Sequence, residues 1–102
     1  MQRKDITNVF LKDIKKKMRF SRSGYDYQCI FFNDHFHCGV WRMTKKDTGR
    51  ICGYEVVKGI KDIQPDGSIV YIYPGDEQFG RSGFYGYDLN RLLRHLEDWM
   101  EI

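Results

Sequence analysis

The sequence is short of the features by which small proteins usually reveal their chemistry. Its three cysteines, Cys29, Cys38 and Cys52, are an odd number with no Cys-x-x-Cys spacing, which speaks against a disulfide framework or a zinc knuckle and makes reduced thiols the expectation. No stretch approaches the roughly 20 consecutive apolar residues that a membrane-spanning helix needs. Met1-Gln2-Arg3-Lys4-Asp5 lacks the apolar run of a signal peptide, so a cytoplasmic protein with no membrane role is expected. Internal repeats, low-complexity tracts and linkers are missing too. Gly80, Gly83 and Gly86 recur at steps of three, but without a Gly-Lys-Ser/Thr ending and a preceding βαβ context they describe backbone geometry and not a phosphate loop.

What is present is an ordinary globular composition. With 41% hydrophobic and 30% charged residues, the chain is too apolar for disorder, and its 102 residues suit one domain spanning 1–102. The net charge of +3 conceals a polarity: residues 1–24 carry eight Lys/Arg against Asp5 and Asp13, whereas the remainder carries nine against twelve acids. Such a gradient can mark a surface for an anionic partner, with a reach limited to about 8–10 Å at physiological salt.

Periodicity supplies the elements. Ile6, Val9, Phe10, Ile14 and Met18 recur at steps of three or four, which predicts an amphipathic helix over 5–18, with Lys15-Lys16-Lys17 in its last turns. Aromatic and β-branched residues then predict strands over 25–32 and 35–44 around Asn33-Asp34, a third over 51–58, and a fourth over 68–73 after the turn Pro65-Asp66-Gly67. Residues 75–87, dense in glycine and aromatics, read as a loop whose Phe79 folds back to join Trp99. Asp88 caps a helix over 89–100 in which Leu89, Leu92, Leu93, Leu96, Trp99 and Met100 share a stripe. The expected fold is α+β: an antiparallel four-stranded meander flanked by an N-terminal and a C-terminal helix, in the order α-β-β-β-β-α.

Three constellations invite a chemical reading. A two-residue turn at Asn33-Asp34 would set Cys29 opposite Cys38 on one face and place His35 and His37 on the other. That separation argues against one metal held by all four, so a metal or thiol site at Cys29, Cys38 and His37 stands as a second alternative, against cysteines that are small buried hydrophobes. Asp76-Glu77 occupies a loop where functional groups gather, and where acids also simply cap or face water. The basic set Lys12, Lys15, Lys16, Lys17, Arg19 and Arg22 is the third. Four of these recur along one helix face and offer phosphate contacts, which Tyr25, Tyr27 and Trp41 would extend by stacking if exposed. The same lysines equally suit the solvated side of a helix.

Gly53-Tyr54-Glu55-Val56-Val57-Lys58, followed by a hairpin and then Tyr73-Pro74-Gly75-Asp76-Glu77-Gln78-Phe79-Gly80, resembles small uncharacterised proteins of bacteriophages and mobile elements. Those pair a Tyr-Glu-Val strand with a Pro-x-Asp/Asn-Glu/Asp-x-Phe-Gly loop and a C-terminal helix. The resemblance covers about the last half of the chain and implies a small accessory protein; it brings no activity with it. With no convergent catalytic triad in view, the expected function is non-enzymatic binding, foremost of another protein, with no cofactor. Electrostatic nucleic-acid binding through the basic N-terminal helix is the first alternative.

Overall fold

The computed structural model describes residues 13–102. Among these residues, seven strands and one α-helix make an α+β fold in which antiparallel sheet dominates. Strands β1 (Arg19–Arg22), β2 (Tyr25–Asn33), β3 (Cys38–Lys45), β4 (Ile51–Lys58) and β7 (Gly83–Gly86) form one sheet in that order. Strands β5 (Ile60–Ile63) and β6 (Ile69–Ile72) form a separate hairpin. Helix α1 (Leu89–Trp99) follows β7, and no described helix is long and apolar enough to cross a membrane.

The N-terminal helix is the first correction. Its residues 5–12, Lys12 among them, lie outside the described residues. The remainder is not α-helical: Asp13 bridges to Ile72, Ile14–Lys16 make a single 3-10 turn capped by the Asp13 side chain, and Arg19–Arg22 form a strand. Ser23 and Gly24 both take positive φ (54° and 84°) between the paired residues Arg22 and Tyr25. Two positive-φ residues make a tight turn whose twist matches that of paired strands. What reads as a helix stop is thus the apex of a hairpin.

The second correction concerns the meander. The β2–β3 connection spans Asp34–His37, so Asn33 pairs with Cys38 and the second expected strand, 35–44, begins three residues late. Asn33 sets this wider turn by accepting the His35 and Phe36 amides on its Oδ1 at 3.0 and 2.9 Å, an Asx-type bond that competes with a two-residue loop. A register shift between Cys29 and Phe31 leaves Ile30 as an extra residue, a β-bulge. After β4 the chain leaves the sheet at buried Gly59, where a Cβ would meet Tyr71 and the His37 carbonyl. It returns through the β5–β6 hairpin, and Gly83–Gly86, expected as loop, pairs with β4 as an edge strand.

The five-stranded sheet is covered on both faces. On one, Ile14, Tyr27, Trp41, Met43, Val57 and Tyr73 form a buried cluster joined by Phe79. On the other, Leu92 and Leu96 of α1 pack on Cys38, Val40 and Val56, with Trp99 beside them. Of the stripe, Leu92 and Leu96 are buried as their spacing predicts and Leu89, Leu93, Trp99 and Met100 are half-buried beside them, whereas Phe79 and Trp99 belong to opposite faces. Asp88 caps α1 by accepting the Arg91 amide.

Candidate functional site

Alternation along β3 and β4 sends Trp41, Glu55 and Val57 to one face and Cys38, Val40, Tyr54 and Val56 to the other. The first face holds a buried polar cluster. Glu55, 4% exposed, accepts the Tyr73 hydroxyl at 2.7 Å and the Arg22 guanidinium at 3.2 Å. Arg22 also donates to the Tyr27 hydroxyl at 3.1 Å, and its guanidinium carbon lies 4.9 Å from the Tyr27 ring. Burial pushes the Glu55 carboxyl up, with Tyr73 and Arg22 pulling it back down. The same burial, reinforced by the neighbouring carboxylate, raises the Tyr73 phenol far above its ordinary value. Every oxygen of the carboxylate is engaged within the protein, which makes this group a tie between β1, β4 and the segment after β6.

The basic residues singled out by the sequence are dispersed. Lys15 pairs with Asp34 at 3.1 Å, and Arg22 is committed to Glu55. Lys17 lies 5.0 Å from the Phe20 ring and 5.9 Å from that of Tyr73, and burial followed by nearby Arg22 lowers its pKa. Lys16 and Arg19 remain exposed, and no helix in the described residues aligns them. Tyr27 and Trp41 are buried. Trp41 donates its indole N–H to the Lys17 carbonyl at 2.6 Å, so it is no stacking platform.

The thiols and imidazole do not converge either. The longer turn and the bulge set Cys29 opposite Trp41, and Cys29 and Cys38 end on opposite faces of the sheet. Burial raises both thiol pKa values, which keeps them protonated. His37, in a left-handed conformation (φ 54°), stacks on Tyr71 at 3.7 Å. Its carbonyl accepts the Gly59 amide at 2.7 Å. Among the described residues no group of three His, Cys, Asp or Glu side chains is placed to hold a metal ion.

A different feature stands out on the second face. Helix α1 covers β3, β4 and β7, leaving a groove of about 340 Å³ between its outer flank and β2. The bulge turns both Ile30 and Phe31 toward α1, where alternation would have turned only one. These form the far wall, Val40 the floor, and Leu89, Leu93 and Met100 the near wall. Ile30 is 43% exposed and Phe31 42%, and Ile102, at the groove's end, is 84% exposed. Glu97 is the one charged side chain in the lining. The run Ile30-Phe31-Phe32 was the available signal in the sequence: alternation sends successive residues to both faces, so all three are buried only where the strand is covered on both sides.

In comparisons with protein families, curated proteins and solved structures, the chain matches none.

Proposed function

We propose that the protein is a non-enzymatic docking module that receives an apolar segment of a partner protein in the groove between α1 and β2. The supporting observation is the groove itself: large aliphatic and aromatic side chains left half open to water around one concavity. Exposed apolar groups gathered in this way mark interaction surfaces far more often than scattered ones do. A closed buried carboxylate, protonated thiols and dispersed cations fit the same reading. So does the accessory role implied by the phage-protein resemblance, since an accessory protein acts through what it binds.

The test is affinity capture from the native host in the presence of nuclease, with each captured protein purified and recombined with the chain. Loss of binding in Phe31→Asp and Leu93→Asp, with binding retained in a Lys16→Glu, Arg19→Glu variant, is the expected pattern. The reverse pattern, together with recovery only when nuclease is omitted, would move the function to nucleic-acid binding and sink the proposal.

A further inference from the structure

Resting on the groove as a protein-docking site, we infer that its occupant is an amphipathic helix bearing lysine or arginine on its flank, selected by Glu97 and Glu101. The helical form follows from what the groove lacks. Its walls are side chains, almost all apolar, and offer few backbone partners. The adjoining stretch of β2 is broken by the Ile30 bulge, and bulged edges are poor templates for strand addition. An extended segment would enter with its own amides and carbonyls unpaired, whereas a helix has satisfied them already.

The charge of the occupant follows from the end of α1. Cations belong in the last turn of a helix, where unpaired carbonyls leave a partial negative charge. Helix α1 has none there. Glu97 and Asp98 fill its last turn and Glu101 follows, and among the described residues no Lys, Arg or His forms a salt bridge with any of the three. Arg94 lines a separate depression with Asp88, Asn90 and Arg91. Glu101 is itself held left-handed (φ 59°). The Ile102 amide bonds the Glu97 carbonyl at 3.1 Å and the Glu101 amide bonds that of Asp98 at 3.3 Å. This is the Schellman arrangement, built on a glutamate where glycine is usual. It brings Ile102 into the groove lining beside Glu97, with Glu101 the residue between Met100 and Ile102 of that lining. Local rules broken together at one place point to a partner that compensates them, and a basic flank would do so.

The experiment titrates the full chain with labelled synthetic peptides that carry leucine at helical spacing. Three are compared: one with lysine flanks, one with glutamate flanks, and the lysine peptide with a central proline. The lysine peptide should bind about tenfold more tightly than the glutamate one, the scale of two rim ion pairs against two repulsions, with the difference shrinking in high salt. The proline peptide should bind poorly. Glu97→Lys with Glu101→Lys, which suits the helix end and should fold, should reverse the preference. Equal binding of both charge types, undiminished binding of the proline peptide, or no binding at all overturns the inference. If every peptide fails while sedimentation shows a dimer that Phe31→Asp dissolves, the groove holds a second copy: the inference falls and the docking site stands. If folded Phe31→Asp and Leu93→Asp bind the lysine peptide as the parent does, both fall.

Discussion

Glu55 shows how a single side chain can be expensive to bury and still hold a fold together. Its carboxylate is removed from water, and the Tyr73 hydroxyl and Arg22 guanidinium replace that solvation. A hydrogen bond to a charged group contributes roughly 1.5–3 kcal/mol, and losing the donor leaves the buried acceptor short. Tyr73→Phe should therefore lower stability by about 2 kcal/mol, read from urea unfolding at neutral pH, with little change in the slope m. Glu55→Gln separates the charge from the hydrogen bond, since the amide oxygen still accepts from Tyr73. A carboxyl whose pKa is higher in the folded state favours folding most fully below its ordinary value, near 4.5, and loses that contribution as pH rises through the folded value. Subtracting parent from variant cancels the other carboxylates. The Glu55→Gln protein should thus gain stability relative to the parent between pH 4 and pH 7; a difference that stays flat or runs the other way would mean that Glu55 is not desolvated as described.

At the level of elements, legibility tracks how far each one depends on its neighbours. Helix α1 could be read directly, because Asp88 and a leucine stripe at steps of three and four carry their own instructions. Strand β7 could not. Gly83-Phe84-Tyr85-Gly86 has glycine at both ends, and its extended form comes from pairing with β4, a case of tertiary context overriding propensity. The segment before β2 misled for a related reason: Ile14 and Met18 stand at helical spacing, yet Ile14 is buried under the sheet while Met18 is exposed beside β1. Ser23-Gly24 was the cue that a hairpin and not a helix end lay there. The end of α1 offers a test of strain at this scale. Glu101 sits in the left-handed region that glycine enters without cost. Glu101→Gly should stabilise the protein by roughly 0.5–1 kcal/mol, the relief of strain being partly offset by the greater freedom of glycine when unfolded. Thermal unfolding of the two proteins side by side would show an upward shift in Tm, and a downward shift would place the residue outside that region.

For the molecule as a whole, half of the candidate site was legible and half was not. The α1 wall lies in the periodic stripe, but the β2 wall exists only because a bulge turns Ile30 and Phe31 the same way, and a bulge leaves no sequence period of its own. The same sheet joins two cores. Strands β3 and β4 send alternate residues to each, so neither layer can dissolve without baring the opposite side of strands that the other still needs. Each large apolar side chain so exposed forfeits about 1.5–3 kcal/mol, so a handful bared together consume the roughly 5–15 kcal/mol that holds a domain of this size. Trp41 lies in one core and Trp99 in the other, which makes each a reporter for its own layer. In Trp99→Phe the remaining fluorescence follows the layer built on Tyr73 and Ile14, and in Trp41→Phe it follows the layer beneath α1. Trp41→Phe should be the less stable, because the Lys17 carbonyl loses its indole donor. Within each variant, however, the tryptophan transition and the far-UV circular dichroism transition in urea should share one midpoint, as a single cooperative unit requires. A fluorescence midpoint in Trp41→Phe that precedes the loss of sheet signal would show α1 peeling away first, and the two-sided sheet would then be two loosely joined layers.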